Sequence, residues 1–477
     1  MSMTNEEEPL SPMARVFQSP CIDYFAVSTI GFKTKIKPDV VLDALKHNVS
    51  KHPRFYCKLS KNGAKWIETQ VNVEDHLVVP YIDPEEIGED GDGFVGDYIS
   101  RLTFNPLDRS RPLWDIHILN VKTSDAEAVG VLRAHHSLGD GTSMVSLLLA
   151  CTHKTSDPTN TCSTSIPSLK RRQTASYNLK KERWYLFTAI GSTMRLIWNT
   201  IVDMLLLVAT GLFLKDTNTP LKGGEDVGSN PKRFYHRIVS LGDIKLIKNA
   251  MNMTINDVLV GITQASLSRY LNKQYDKKNE EDGSKPNHLP RGIRFRSGCT
   301  VNLRSEIDFK PLAEMMAKDS KCRFGNHFSF ITVPFSISLQ TDPLVYLKMS
   351  KSIMARKKHS YHAALAYWLI NLGHKVLGAE VTARLFNQHV MNTTTCISNV
   401  VGPMEEISFR GHPISYIAAS GYGHSQALLI HFVSYAGKMT ISLAVDPTVI
   451  PYPHKICDEM EDSLKEMKAA LWERGLL

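Results

Sequence analysis

The run His135-His136-Ser137-Leu138-Gly139-Asp140-Gly141 constrains this chain more than any other stretch, because it falls between two segments of different character. Residues 128–133 form a short apolar, strand-like run and 142–151 read as a mostly apolar helix, so the motif must be the turn between them. Gly139 and Gly141 are expected to supply backbone angles closed to other residues, and Asp140 sits where a helix N-terminus favours a carboxylate. Such a turn would hold His136 rigidly. Imidazole is the side chain whose pKa suits taking a proton from an attacking hydroxyl near neutrality. Other readings stay open on these residues alone. Adjacent histidines point in different directions and no further His/Cys cluster has ligand spacing, so no metal is expected. The pair could also be a satisfied turn.

A chain of 477 residues can hold two ordinary domains with a sizeable core. The net charge of +8 is mild for that length, and no aromatic-basic recognition motif accompanies it, so nucleic acid is not an expected partner. Eight cysteines without a Cys-x-x-Cys pair suit reduced thiols in a cytosolic setting. The first ten residues are acidic and lack the apolar core of a secretory signal.

Strand-like and helix-like segments alternate over 1–151, giving a mixed α/β half that carries the motif. Residues 152–231 break the pattern. A Ser/Thr/Lys/Arg-rich linker with Lys170, Arg171, Arg172, Lys180, Lys181 and Arg183 leads into 184–214, the most hydrophobic part of the chain, where Arg195 and Asp203 are the only charges. A basic stripe beside an apolar segment suits an anionic cytoplasmic leaflet, so membrane lipid is an expected partner; the competing reading is a buried interdomain helix. A true span would carry everything beyond it across the bilayer from His136, so a re-entrant or interfacial segment is expected. Residues 232–477 form a second mixed half with a polar, disorder-prone loop at 272–290, ending in a β-hairpin (427–435 and 438–445) and a closing helix (454–471).

Four further motifs follow one another in a fixed order: Pro112-Leu113-Trp114, Asn256-Asp257-Val258-Leu259, Val301-Asn302-Leu303-Arg304 and Ser398-Asn399-Val400-Val401-Gly402-Pro403. With the histidine motif they resemble the plant bifunctional wax ester synthase/diacylglycerol acyltransferase family over nearly the whole chain. The resemblance implies two chloramphenicol-acetyltransferase-like subdomains with a tunnel between them. It also implies acyl transfer from acyl-CoA, a substrate and not a cofactor, to a long-chain fatty alcohol or diacylglycerol. The implied location is the endoplasmic reticulum membrane with the site facing the cytosol, the plasma membrane being the other candidate.

By the same resemblance His136 matches the catalytic base, with His135 and Gly141 flanking it. Asp140 matches an aspartate that supports the loop by pairing with an arginine, for which Arg304 is the candidate here. Asn256 and Asp257 match an Asn-Asp motif whose asparagine could donate to an oxyanion; the same residues also read as a helix cap. Pro112, Leu113 and Trp114 read as packing at a strand entry, and Ser398, Asn399, Gly402 and Pro403 as a strand end and turn lining the tunnel. The Asp-Phe-Gly-Trp-Gly box of soluble plant alcohol acyltransferases has no match, which favours the lipid branch. Two rival functions remain: a catalytically silent lipid-binding scaffold of the same fold, and a serine hydrolase using Ser425 in Gly423-His424-Ser425-Gln426-Ala427. A nucleophile elbow must lead into a helix, whereas residues 428–435 alternate like a strand.

Overall fold

The computed structural model describes residues 9–49, 52–60, 63, 65–161, 182–228, 230–276, 287–304, 315 and 323–477. The basic cluster 170–181 and most of the 272–290 loop lie outside them. The expected mixed α/β architecture is present as two halves, each built on a sheet. The first sheet runs, in spatial order, Leu77–Val78, Trp114–Leu119, Ala128–His135, Phe25–Phe32, His412–Tyr422, Ile407–Phe409, His153–Lys154 and Asp157–Thr161. The second runs Phe328–Phe335, Phe295–Asn302, Thr395–Val401, Leu428–Tyr435, Lys438–Val445 and Arg233–Ser240.

Among the described residues the sequential division at 151 and 232 is crossed at two places, one of them His153–Lys154 and Asp157–Thr161, which follow residue 151 but edge the first sheet. Strands Ile407–Phe409 and His412–Tyr422 belong by sequence to the second half, yet they complete the first sheet. Phe25–Phe32 pairs with Ala128–His135 on one side and with His412–Tyr422 on the other, antiparallel in both cases. The hairpin 428–445 forms as expected, its two-residue turn Ala436-Gly437 having both residues at positive φ (44° and 77°), the geometry that matches strand twist. The closing helix is His454–Glu473. With Ile255–Asp276 and Leu344–Lys358 it buries the largest apolar cluster against the second sheet.

The apolar segment is a single helix, Glu182–Leu212. Its Ile190, Met194, Ile197, Ile201, Leu205, Val208 and Leu212 recur every three or four residues and are each about half to two-thirds exposed. Three polar residues in its middle and second half, Asn199, Asp203 and Thr210, point the other way, into the protein. Asp203, fully buried, accepts from Lys357 Nζ at 2.8 Å and Arg356 at 2.9 Å. Asn199 donates to the His359 carbonyl at 3.0 Å, and the Thr210 carbonyl accepts from Asn392 at 2.6 Å. From Asn199 onward this helix is amphipathic in the inverted sense, with the Asp203 carboxylate inside and hydrocarbon outside.

Candidate active site

The strand Ala128–His135 leads directly into the motif, and the helix Gly141–Cys151 begins after it. Asp140 is the N-cap, its Oδ1 accepting from the Ser143 amide at 3.0 Å. Its Oδ2 takes Arg304 at 2.7 Å and the His327 amide at 2.9 Å. Arg304 also donates to the Gly325 carbonyl at 2.9 Å. The turn of the first half is therefore clasped by Arg304 and the segment 325–327 of the second. The glycines serve differently from expectation, since neither Gly139 nor Gly141 has a positive φ. What they provide is room: a Cβ on Gly141 would come within 2.7 Å of Val400 Cγ2, and one on Gly139 within 2.9 Å of the Ser143 Cβ.

The two histidines face opposite ways. His135 is fully buried, and its Nδ1 accepts from the Ser137 amide at 3.1 Å. That leaves Nε2 as its proton-bearing nitrogen, 3.3 Å from Asp23, which Arg109 also holds. His136 turns into a cavity of about 240 Å³ and packs there against Phe17, Tyr24 and Phe328, with ring centroids 4.7, 5.2 and 5.8 Å away. Its Nδ1 lies 3.2 Å from Asn326 Oδ1. Asn326, itself fully buried, donates its amide to the carbonyls of His136 (2.8 Å) and Ser137 (3.3 Å). Those two carbonyls fix which way the amide points, so Oδ1 can only accept and Nδ1 must carry the proton. The lone pair of Nε2 is then free. Burial lowers the pKa of His136 below the ordinary histidine value, against opposing contributions that include Asp140 and Asn326, so the ring is neutral at pH 7 and has a lone pair with which to accept a proton.

The cavity runs from His136 into the first half. Alternate residues of Phe25–Phe32, namely Ala26, Ser28, Ile30 and Phe32, form one wall. Val41, Leu45 and Val49 of the helix Pro38–Val49 and Met144 and Leu148 of the motif helix form the rest. The second half closes the His136 end with Ser398, Val400, His431 and Val433, so both halves contribute to the space, as a tunnel between subdomains requires. Trp114 is a wall residue anchored by its indole N–H on the Phe55 carbonyl at 3.0 Å, and the Leu113 carbonyl accepts from the His135 amide at 2.9 Å. Pro112, Leu113 and Trp114 are all buried at this strand entry.

Asn256 is placed differently. It is exposed at the start of Ile255–Asp276, accepts from Asn399 at 2.7 Å, and neither asparagine is among the residues lining the His136 cavity. The helix is capped by its neighbours: Asp257 Oδ2 accepts from the Thr254 amide at 2.8 Å and Thr254 Oγ1 from the Asp257 amide at 3.3 Å. Gly402 and Pro403 form the turn after Thr395–Val401, where a Cβ on Gly402 would sit 2.3 Å from the Ser434 carbonyl. Ser425 donates to Asn387 at 2.9 Å and is followed by the strand Leu428–Tyr435, so no nucleophile elbow exists there. Asn326 and His431 carry no signal in the sequence; Gly325-Asn326-His327 reads only as a turn before a strand.

A neutral, tautomer-locked imidazole at the end of an apolar cavity between two α/β halves defines an acyltransferase-like centre. Comparison with known proteins identifies the branch. Residues 59–259 match the model of the wax ester synthase/diacylglycerol acyltransferase catalytic domain, and residues 324–468 match the WS/DGAT C-terminal domain. The chain is 74% identical over 478 residues to wax ester synthase/diacylglycerol acyltransferase 7 of Arabidopsis thaliana, covering 99% of both chains. It is 73% identical over 480 residues to number 8 of the same species, covering 99% of this chain and 98% of the relative. Among solved structures it is similar to the wax ester synthase/diacylglycerol acyltransferase from Marinobacter aquaeolei VT8 (TM-score 0.59, 17% identity, 97% and 99% of the two chains). It is also similar to the first condensation domain of the CDA synthetase (TM-score 0.52, 12% identity, 97% and 96% of the two chains). The chain belongs to the wax ester synthase/diacylglycerol acyltransferase family.

Proposed function

We propose that this protein transfers a fatty acyl group from acyl-CoA to the hydroxyl of a long-chain alcohol or of diacylglycerol, forming a wax ester or triacylglycerol. The observation that carries the reading is the locked tautomer of His136 at the end of an apolar cavity. His136 Nε2 takes the hydroxyl proton while the oxygen attacks the thioester carbonyl. The tetrahedral intermediate collapses with cleavage of the C–S bond, and protonated His136 returns its proton to the CoA sulfur. Atoms balance with the two substrates alone. Ser398 and His431, opposite each other on paired strands in the cavity wall, are our nominees among its polar residues to hydrogen-bond the developing oxyanion, a role for which the sequence offered Asn256 as a candidate.

The site of action we propose is the cytosolic face of the endoplasmic reticulum membrane, touched and not crossed. The exposed stripe of Glu182–Leu212 supports contact with lipid. Its pins at Asn199, Asp203 and Thr210 argue against a span, because extracting the helix would leave Lys357 and Arg356 without their buried carboxylate. Purified protein given labelled palmitoyl-CoA with hexadecanol or diacylglycerol should form the corresponding ester, and His136→Ala should lose most of the rate, general-base catalysis contributing roughly 10²–10⁴-fold. Ester formation at half the wild-type rate or more by His136→Ala would overturn this mechanism.

A further inference from the structure

A second apolar cavity, of about 380 Å³, opens between Glu182–Leu212, His362–Val376 and Ala379–Met391. Its rim is continuous with the exposed stripe of the first helix, through Leu212, Leu372, Val376 and Leu385, all at least one-third exposed. Among the described residues that line it, only Thr382 and His389 interrupt an otherwise hydrocarbon surface. Burial depresses the His389 pKa to about 3, so this imidazole is neutral and compatible with an apolar guest.

The floor of this groove leads toward the reactive centre. Phe330 lies there, edge-on to Phe386 with centroids 5.3 Å apart. Phe328, two residues back on the same strand and therefore on the same sheet face about 7 Å away, touches the His136 ring at 5.8 Å. Phe17, Ile370, Phe328, Phe330 and Phe386 belong to one apolar cluster, so hydrocarbon contact is unbroken from the groove to His136.

We propose that this groove is a lateral port through which the long-chain acceptor passes from the bilayer to His136, its aliphatic chain lying past Phe330 and Phe328. The proposal rests on the acyl-transfer and membrane-contact readings above. The chemistry of the two substrates selects the occupant. Acyl-CoA carries anionic phosphates and approaches from water, whereas a fatty alcohol or diacylglycerol is uncharged and dissolves in the membrane that the stripe contacts. Lys170, Arg171, Arg172, Lys180, Lys181 and Arg183, at or before the start of the helix in sequence, are a composition that suits an anionic leaflet.

Gly211 offers a way to plug the groove without disturbing the fold, since a Cβ there would meet nothing closer than the Leu385 carbonyl at 4.0 Å. Gly211→Leu and, independently, Leu385→Trp are compared with wild type using palmitoyl-CoA and either hexadecanol in phosphatidylcholine/phosphatidylserine vesicles or hexanol in solution. The expected result is a fall of roughly tenfold in the ratio of kcat/KM for hexadecanol to that for hexanol, equivalent to losing the burial of about two methylenes. An unchanged ratio in both variants, whether the two activities hold or fall together, overturns the port. Wild-type protein that esterifies neither of these alcohols nor diacylglycerol would instead sink the activity reading on which it depends.

Discussion

Replacing Asn326 with aspartate tests the tautomer lock through a property that packing alone would not move. The substitution keeps an oxygen facing His136 Nδ1 at about the 3.2 Å seen now, but gives it a charge. A hydrogen bond to a charged group contributes about 1.5–3 kcal/mol against about 1 for a neutral one, and the gain goes to the protonated imidazole. A difference of about 1–2 kcal/mol raises the histidine pKa by roughly one unit. The base must be proton-free to act, so the acid limb of the kcat/KM profile should shift upward by roughly one pH unit. Loss of the two amide donations to the His136 and Ser137 carbonyls should cost about 1–3 kcal/mol of stability, measured separately by thermal melting. Asn326→Ala, lacking any acceptor, should leave the acid limb where it is or lower it while reducing the plateau about tenfold. Rates of labelled ester formation from pH 5 to 9 decide the matter. An acid limb that stays put or moves down in Asn326→Asp would refute the assignment of Asn326 to Nδ1.

Asp140→Asn and Arg304→Ala should each lower the melting temperature, a one-sided break of this buried pair costing on the order of 3–5 kcal/mol, with a double variant losing less than the sum. Unchanged melting in either single variant would detach the pair from the stability of the turn. Acid should destabilise the protein from about pH 6.5 downward, because His389 and His424 hold pKa values near 3 and His431 near 4 when folded but titrate normally when unfolded. The unfolded chain binds more protons through that window, so urea midpoints should fall steadily from pH 6.5 to 4; a flat profile would contradict it. Trp198→Asp combined with Leu205→Asp should weaken flotation with anionic vesicles while leaving melting nearly unchanged, since both side chains are about two-thirds exposed. Equal flotation of variant and wild type would remove this face from the membrane. Tags at residues 1 and 477 should both remain protease-sensitive in sealed microsomes, and protection of the second alone would mean that the helix spans.

Local pattern is enough to find the strand–turn–helix around His136 and the terminal hairpin and helix, which depend on periodicity and on turn chemistry. The pairing of Asp140 with Arg304 is legible only through the family resemblance, since the two residues are 164 positions apart. Asn326 escaped because its partner is 190 residues away and nothing in a single asparagine before a strand announces a buried acceptor. Asn256 is a candidate only because it matches a family motif, and the cap that the same stretch also suggests is made by Thr254 and Asp257. The glycines were assigned to backbone angle when the reason was the approach of Val400, which only tertiary structure reveals. The helix Ile255–Asp276 is buried on nearly all sides through Leu271, so it has no polar face to orient it in sequence. The inverted helix was legible in composition but not in direction, because hydropathy does not say which side of an apolar helix meets its own protein.

The exchange of strands between the halves imposes a schedule on biosynthesis. Phe25–Phe32 has one neighbour by the time residue 135 is made, but its other edge waits for His412–Tyr422. At about 5–20 residues per second the intervening chain takes tens of seconds to emerge. Throughout that interval the centre of a future sheet is an open edge with Phe, Val and Ile side chains, the kind of template that invites foreign strands. A ribosome-associated chaperone, or early settling of the nascent chain on a membrane surface, would have to shield it. Truncations ending between 151 and 411 should therefore be recovered as aggregates, however complete their histidine motif.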